Sequence, residues 1–354
     1  MDSMKEADGI TVLDTGSEDG SADLLRALGA QVWEEAVVPW RFDAARNRSL
    51  QLVPQDADIC VCTDLDEVFR PGWRKAAEAA WHGGVNQLRY RYIWSLTPDG
   101  KEDRVFLSDK IHGRNGFCWV GAVHEILRSE TVNTAVAEGV VLEHYPDLQK
   151  SRGQYLPLLE LAVTEDPEND RNLHYLGREY FFCGRYDDAI RTLRQHLSLP
   201  TSQWRDERCA SMRYIAQCFR MLGNSRECES WLLRAAAEAP WLREPWVELA
   251  EYLAEHRQWH GVCYAAGRAL RIKDRPLHYI SEGRVWGSLP YDLLSLGLYH
   301  TGSYRKAAEA VKQARLLCPE DGRLLENERL IRDRIALLND HLPNSDCEEF
   351  KTEV

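Results

Sequence analysis

The apolar and polar positions follow two different periods along the chain. Up to about residue 147, short β-rich runs alternate with short segments of helical spacing. This order is typical of an α/β layer with a parallel sheet. The predicted strands are residues 10–13, 31–33, 59–62, 87–94, 117–123 and 139–144, and the predicted helices are residues 22–28 and 43–52.

From about residue 150 helical spacing replaces the strands, and a repeat is visible. The turns of the repeat align at four positions, with small residues seven before each turn and large apolar or aromatic residues four before it. The turn residues are Gly184, Gly223, Arg257 and Gly302, the small residues are Gly177, Ala216, Ala250 and Ser295, and the large residues are Tyr180, Phe219, Leu253 and Leu298.

Small residues where two antiparallel helices touch, and large ones that fill the groove between them, are what stacked helix hairpins require. Compact residues also stand five positions after each turn, at Ala189, Cys228, Val262 and Ala307. The pattern resembles the tetratricopeptide repeat over roughly residues 170–320. The alternative is an irregular helical bundle.

Composition adds limits on the class of protein. The 354 residues are 44% hydrophobic and 28% charged, which is ordinary for folded globular protein. The net charge of −12, with no basic stripe, argues against nucleic acid as a partner. Ten cysteines without a CxxC pair favour reduced thiols. With a polar N-terminus and no transmembrane segment, the expected location is cytoplasmic.

The stretch Thr63-Asp64-Leu65-Asp66-Glu67 places three carboxylates directly after an apolar strand. Ligands of open α/β sheets bind at the carboxyl ends of strands, and alternate residues of an extended segment point the same way. Asp64 and Asp66 can therefore face one hard cation, and Mg²⁺ or Mn²⁺ prefers such oxygen ligands. The sequence predicts a metal site here, with Asp14 at the end of another strand.

Three segments in order carry a resemblance to a known family: VLDTGSEDGS (residues 12–21), FDAARN (residues 42–47) and CTDLDE (residues 62–67). Together they resemble the core of an inverting family 2 glycosyltransferase with the GT-A fold of nucleotide-diphospho-sugar transferases. The resemblance implies that Asp14 contacts the nucleoside and that Arg46 and Asn47 line the donor pocket. It also implies that Asp64 and Asp66 hold the metal on the diphosphate of the nucleotide-sugar donor.

Two later segments extend the resemblance to the repeat-bearing members of that family. Residues 119–125 (WVGAVHE) resemble the segment that ends in His-Glu, and residues 143–146 (EHYP) resemble the one whose histidine closes the catalytic domain. The resemblance implies that Glu125 is the general base for the acceptor hydroxyl. His144 would complete the metal shell or contact the diphosphate.

The chain departs from the family pattern at its start. A strand and a helix precede the VLDTGS strand in the family, whereas nine residues precede Ile10 here. We therefore expect an incomplete GT-A domain, in which a central position of the sheet is empty or taken by a neighbour. A fragment, a start at an internal methionine and a natively shortened domain all fit this pattern.

Two other functions fit parts of the sequence. Asp64 to Val68 also fits the nucleophile loop of a haloacid-dehalogenase-type phosphatase, in which Asp64 would attack phosphorus. That alternative leaves the VLDTGSEDGS segment unexplained. A non-enzymatic scaffold, with a vestigial glycosyltransferase domain and repeats that bind a partner, is the second alternative.

The resulting prediction is an α/β plus all-α protein. Residues 1–148 form the incomplete GT-A-like domain, residues 149–338 form TPR-like helical repeats, and residues 339–354 form a disordered tail. The predicted function is metal-dependent transfer of a sugar from a nucleotide-sugar donor to an unknown acceptor, with inversion. The acceptor is expected to be a protein or a glycan held by the repeats.

Overall fold

The computed structural model describes residues 1–97, 100–147, 153 and 155–340. The chain divides into two compact units, the first formed by residues 1–228 and 276–281 and the second by residues 229–275 and 282–354. Within the described ranges, the strands lie before residue 145 and only helices follow residue 155. The predicted domain boundary at residue 148 and residues 341–354 of the predicted tail lie outside the described residues, whereas residues 339 and 340 belong to the last helix.

The strands of the first unit form a five-stranded sheet and two smaller pairs. Their bounds are β1 Thr11–Asp14, β2 Gln31–Glu34, β3 Ile59–Val61, β4 Glu67–Phe69, β5 Gln87–Leu96, β6 Glu102–Gly113, β7 Cys118–Val120, β8 Ile126–Arg128 and β9 Thr134–His144. The large sheet has the order β3-β6-β5-β9-β4. The pairs are β1 with β2, which are parallel, and β7 with β8, which are antiparallel.

The prediction of a parallel sheet is wrong for the large sheet. Only β5 and β9 run parallel in it, and its other neighbours are antiparallel. The physical reason is that the twelve-residue strand β6 follows β5 directly and folds back beside it. Alternation of β and helical patterns correctly describes β1 to β3 and does not extend beyond them.

The pair formed by β1 and β2 is separate from the large sheet. Among the described residues β1 pairs only with β2, and β3 is an edge strand that pairs only with β6. In the described residues, β1 and β3 therefore each have one edge without a strand partner.

Thirteen α-helices are present in the described residues. Their bounds are α1 Ser21–Ala27, α2 Phe42–Leu52, α3 Trp73–Ala80, α4 Tyr155–Glu165, α5 Asp170–Phe182, α6 Tyr186–Ser198, α7 Arg205–Met221, α8 Ser225–Glu238, α9 Arg243–Glu255, α10 Trp259–Arg271, α11 Leu289–His300, α12 Tyr304–Leu317 and α13 Gly322–Asp340. Single 3₁₀ turns occur at Asp2–Met4 and Gly283–Trp286.

One core lies under the five-stranded sheet, where α3 packs against it. Trp73 and Ala77 of α3 contact a buried layer of strand residues that includes Leu88, Tyr90 and Leu142. Residues before β1 close this core, because the Trp73 Nε1–H donates to the carbonyl oxygen of Ser3 at 2.8 Å. This sheet is therefore a rigid support for the loops at its edge.

The four aligned turns of the helical part share one backbone geometry. Gly184, Gly223, Arg257 and Gly302 have φ angles of 73°, 73°, 56° and 81°. The N–H after each turn donates to the carbonyl oxygen of the large residue four before it, at 2.8–2.9 Å. The pairs are Arg185–Tyr180, Asn224–Phe219, Gln258–Leu253 and Ser303–Leu298. The left-handed turn satisfies carbonyl groups that the helix end would otherwise leave open.

Small residues allow close approach inside the helix hairpins. A Cβ atom added at Gly177 of α5 would lie 2.5 Å from the Leu193 side chain of α6. A Cβ atom at Gly297 of α11 would lie 2.8 Å from Cys263 Sγ and 3.2 Å from the backbone of α10. These contacts, with the repeated turns, identify this part as a helical-repeat region.

Two further features are the hydropathy of the helices and the state of the cysteines. Within the described helices, none combines the length and the hydropathy that a membrane span needs. The nine cysteines of the described residues are free thiols.

Candidate functional site

Asp14 ends β1 and closes the turn that follows it. Its Oδ1 accepts hydrogen bonds from the N–H groups of Gly16 at 2.8 Å and Ser17 at 2.7 Å. These two bonds hold the pKa of the buried Asp14 carboxyl below its ordinary value. Asp14 is therefore ionised, and one of its oxygens already serves the turn. Its contact with a nucleoside stays a prediction.

Arg46 of α2 is the centre of the site. Its Nε donates to Glu125 Oε1 at 2.7 Å, one terminal nitrogen lies 2.9 Å from Asp64 Oδ1, and the other lies 3.2 Å from Cys62 Sγ. The guanidinium also lies over the Trp119 ring. A planar fork of donors can hold several acceptors at fixed angles. Three residues predicted for the site, Arg46, Asp64 and Glu125, thus meet at one side chain.

Lys110 of β6 approaches the same acidic group from the sheet. Its Nζ lies 3.1 Å from Glu67 Oε1 and 3.5 Å from Asp64 Oδ2. Burial raises the pKa of Asp64, but the charges of Lys110 and Arg46 outweigh burial and bring it below its ordinary value. Asp64 is therefore a charged carboxylate that is paired with two cations, although 44% of its side chain is exposed. Arg114, which follows β6, instead donates to the Val53 carbonyl oxygen at 3.1 Å.

Glu67 organises the turn between β3 and β4. Its Oε2 accepts from the Asp64 N–H at 2.9 Å, and its Oε1 accepts from the Tyr92 hydroxyl at 2.5 Å. Burial and the charge of Glu67 both raise the pKa of Tyr92, so this hydroxyl stays a donor. The third acid of the Thr63–Glu67 stretch therefore shapes the loop, whereas the other two face the site.

Asp66 and His144 face each other across the loop and β9. The distance from His144 Nε2 to Asp66 Oδ2 is 3.4 Å, and His144 Nδ1 lies 3.0 Å from the Trp94 carbonyl oxygen. The His144 ring also stacks on Trp94, with 4.4 Å between the ring centres. Because a carbonyl oxygen only accepts, Nδ1 carries a hydrogen, and Nε2 is the ring nitrogen that faces the carboxylate.

A carboxylate oxygen and an imidazole nitrogen are both ligand types that Mn²⁺ accepts, and these two atoms lie 3.4 Å apart, so Asp66 and His144 fit a divalent ion. The carbonyl partner of Nδ1 also orients the ring, as is usual for metal-binding histidines. Asp64 does not join them. It turns to Arg46 and Lys110, and the three predicted metal ligands do not form one group in the described structure.

Asn47 is used to position β7. Its Oδ1 accepts from the Trp119 N–H, and its Nδ2 donates to the Trp119 carbonyl oxygen, both at 2.8 Å. These bonds align the segment that leads to Glu125. A direct contact between Asn47 and the donor stays a prediction.

A turn with unusual backbone angles positions Glu125 beside Arg46. Gly121 has a φ of 116°, and its N–H donates to Asp43 Oδ2 at 3.0 Å. His124 has a φ of 52°, an uncommon angle for a residue with a side chain. Such strain persists where surrounding contacts impose it, often at functional sites. Here the His124 ring stacks on Tyr175 of α5, with 4.0 Å between the ring centres.

Sequence reasoning missed several contributors to the site. Tyr92 and Trp94 lie in β5 and have no motif of their own, and Cys62, the first residue of the CTDLDE segment, was given no role. Their roles come from pairing between β5, β6 and β9, which no local pattern specifies. The sequence identified Glu67 as the third acid of its stretch, but it did not predict that this side chain points inward.

A separate buried polar cluster lies among the helices of the first unit. Asp170, His196 and Glu207 offer ligand atoms within 4.8 Å of one another. His196 already contacts Ser202 and Ser211 at 3.0 Å each, and Glu207 accepts from the Tyr279 hydroxyl. The cluster is therefore a satisfied hydrogen-bond network.

No protein-family model and no curated protein matches the chain. Among solved structures, similarity extends to the APC/C hetero-tetramer Cut9-Hcn1, with 16% identity and a TM-score of 0.40 over 52% of this chain and 34% of that one. MamA matches with 16% identity and a TM-score of 0.38, over 49% of this chain and 87% of that one. YrrB, described as a TPR protein with an unusual peptide-binding site, matches with 12% identity and a TM-score of 0.38, over 50% and 83%.

This chain spans about a third of the length of the Cut9-Hcn1 chain that it matches. The assignment of a helical repeat therefore depends on the four turns and the close helix contacts described above.

Proposed function

We propose that this chain transfers a sugar from a nucleotide-sugar donor to an acceptor hydroxyl group, with inversion at the anomeric carbon and with a divalent metal ion. The strand-rich part would then be an incomplete GT-A domain. The observation that carries the proposal is the meeting of Asp64 and Glu125 at one guanidinium, that of Arg46. The pair formed by Asp66 and His144 supports it.

Glu125 is the general base in this proposal. Its carboxylate accepts the proton of the acceptor hydroxyl while that oxygen attacks the anomeric carbon from the face opposite the diphosphate. The new carbon–oxygen bond forms as the bond to the diphosphate breaks, and the diphosphate leaves with the electron pair. The Arg46 Nε–H holds one carboxylate oxygen, so the other oxygen is left for the proton.

Positive charge beside the leaving group is the second requirement. Arg46 and Lys110 supply two fixed cations next to Asp64. Such preorganised charges stabilise the charge that develops in the transition state. Asp66 and His144 would hold Mn²⁺ or Mg²⁺, which supplies further charge to the diphosphate when bound.

Turnover of the donor by water is the direct test. The full chain is incubated with uridine, guanosine and thymidine diphosphosugars, with Mn²⁺ or with chelator, and the nucleoside diphosphate released is measured. We expect metal-dependent release from one of these donors, lowered about 100-fold or more by Glu125→Gln. Glu130→Gln, at an exposed glutamate of the same unit, is the control. Nucleoside diphosphate release that is unchanged by chelator and by Glu125→Gln would contradict the proposal.

A non-enzymatic scaffold is the second candidate, and specific observations favour it. Both oxygens of Asp64 are engaged by cations, and β1 does not pair with β3 in the described structure. The helical repeats would then bind a protein or peptide partner. In the same assay, no release from any donor favours the scaffold. Release of phosphate from a simple phosphomonoester would instead indicate the phosphatase alternative.

Under the transferase proposal the repeats position the acceptor, a protein or a glycan. The helical part and the site lie close in the first unit, since His124 stacks on Tyr175. Helical repeats offer extended concave surfaces for such binding.

A further inference from the structure

Two arginines on α5 flank one tyrosine ring. Arg171, Tyr175 and Arg178 lie on the same face of the helix, because they are four and three residues apart. The Cζ atoms of Arg171 and Arg178 lie 5.1 Å and 4.4 Å from the centre of the Tyr175 ring. The Tyr279 ring stacks beside it, with 5.8 Å between the ring centres. These four residues are called the arginine–tyrosine patch below.

The patch begins next to the candidate base. The ring of His124 lies 4.0 Å from that of Tyr175, at an angle of 21°. His124 directly precedes Glu125, whose Oε1 accepts the hydrogen bond of Arg46. The patch is therefore connected to the candidate base through one residue, His124.

Both guanidinium groups of the patch lack an anionic partner. In the part of the chain that the structure describes, neither guanidinium forms a hydrogen bond or an ion pair with a carboxylate, and the Nε of each is buried without a partner. Arg185, just beyond the same helix, is paired with Glu160 and Asp188. Buried donors in native proteins are normally hydrogen-bonded. The two open donor sets therefore point to an acceptor that the chain itself does not supply.

The acidic groups around Arg171 do not fill this role. Glu207 and Asp109 contribute to its electrostatic surroundings, but neither pairs with it, and Glu207 is engaged by Tyr279 and His196. Arg171 also lies in the first turn of α5. A helix dipole favours an anion there and disfavours a cation, so an oxyanion at this point is favoured by the helix and by the arginines together.

We propose that the arginine–tyrosine patch binds the oxyanion of an anionic saccharide acceptor, either a carboxylate or a phosphate. This inference rests on the proposed function, because it takes the bound molecule to be the acceptor whose hydroxyl meets Glu125. Guanidinium forks match the planar oxygens of carboxylates and phosphates. The rings of Tyr279 and His124, which are partly exposed, supply apolar contact for the sugar ring. The acceptor is thus held at its charged end and presented at its hydroxyl.

The test is direct binding to the full chain by calorimetry, with glucuronate, glucose 1-phosphate and uncharged methyl glucoside as probes. We expect at least one anionic sugar to bind much more tightly than methyl glucoside, and the stronger of the two identifies the oxyanion. The double variant Arg171→Gln, Arg178→Gln should weaken that binding at least tenfold. Arg185→Gln, which removes a paired arginine nearby, should leave it unchanged.

Arg178→Lys keeps the charge but loses the fork, and it serves if the double variant does not fold. A fall in affinity with an unchanged thermal unfolding temperature supports the patch. Equal binding of the anionic sugars by the unaltered chain and a folded variant overturns it, as does the absence of any anion binding. Donor turnover by the unaltered chain is a separate readout. If no donor is turned over but the arginine–tyrosine patch binds anions, the proposed sugar transfer is contradicted and the anion-binding site is still supported.

Discussion

Single side chains decide which acids of this site are available to a ligand. Arg46 holds Glu125 and Asp64 from two sides, and the Trp94 carbonyl oxygen fixes the ring of His144. As a result the two aspartates of the Thr63–Glu67 stretch differ in surroundings. Asp64 is neutralised by cations, whereas Asp66 faces only the imidazole of His144.

The metal-binding role proposed for Asp66 and His144 gives the first prediction. His144→Ala should weaken the affinity for Mn²⁺, measured in the presence of nucleoside diphosphate by calorimetry, by about 10- to 100-fold. The reason is that the imidazole is one of two donors that converge there. His82→Ala, at an exposed histidine of the same unit, should have no effect. Equal Mn²⁺ affinity in both variants would exclude His144 as a ligand.

How far the sequence predicts this site depends on the range of each contact. Asp64 and Asp66 follow from a strand end and alternation, both of which are local. Glu125 and His144 came from a resemblance, because no local rule connects positions about 60 to 80 residues apart. The separation of Asp64 from the metal pair could not be predicted, since it depends on where Lys110 falls in the register of β6.

At the scale of elements, local periodicity succeeds for helices and fails for sheet pairing. Helix hairpins are specified by spacing within about 40 residues, and the four aligned turns adopt one geometry. The strand β6 was missed because its charged residues interrupt the alternation, although it is the strand between β3 and β5. A sheet requires partners distant in the chain, and these set its mixed order.

The close helix contacts of the second unit give the next prediction. Gly297→Ala should lower the free energy of unfolding by about 1–3 kcal/mol, because the new Cβ meets Cys263 and the backbone of α10. Gly267→Ala lies in α10 with open space around it and should raise the free energy of unfolding by about 0.5–1 kcal/mol.

Urea unfolding followed by circular dichroism at 222 nm compares the two glycine variants with the unaltered chain. We expect the free energy of unfolding to fall in Gly297→Ala and to rise in Gly267→Ala. Two variants of equal stability would show that the approach of α11 to α10 is looser than described.

At the scale of the whole molecule, the change of period does not mark the boundary between the compact units. The first unit contains the strands together with the early helices and residues 276–281. That short segment belongs there because the Leu107 N–H donates to the Leu277 carbonyl oxygen, and because His278 contacts Asp206 at 2.9 Å. Contacts between residues that are 70 to 170 positions apart in the chain cannot be read from the local sequence pattern.

The stability of the first unit should fall in acid because of His174. Burial lowers the pKa of this histidine from 6.5 to about 3, and its Nδ1 lies 2.8 Å from Ser211 Oγ. Between pH 6.5 and 3 the unfolded chain therefore binds a proton that the folded chain does not. Stability then rises with pH in this window, by at most about 1.4 kcal/mol per pH unit for this group.

His174→Gln removes that titration, so the loss of stability between pH 6.5 and 5 should be smaller than in the unaltered chain. Urea unfolding at pH 7, 6 and 5, followed by tryptophan fluorescence, measures it. His260→Gln, at an exposed position of the second unit, should keep the original pH dependence. Identical slopes for the His174 variant and the unaltered chain would contradict the assignment.

The third of the four repeat turns has a wider consequence. Arg257 adopts the same left-handed angle as the three glycines and closes the same main-chain bond. The turn is thus defined by its left-handed φ angle rather than by the identity of the residue that adopts it. A search for glycine at the turn finds three of these turns, whereas a search for the left-handed backbone angle finds all four.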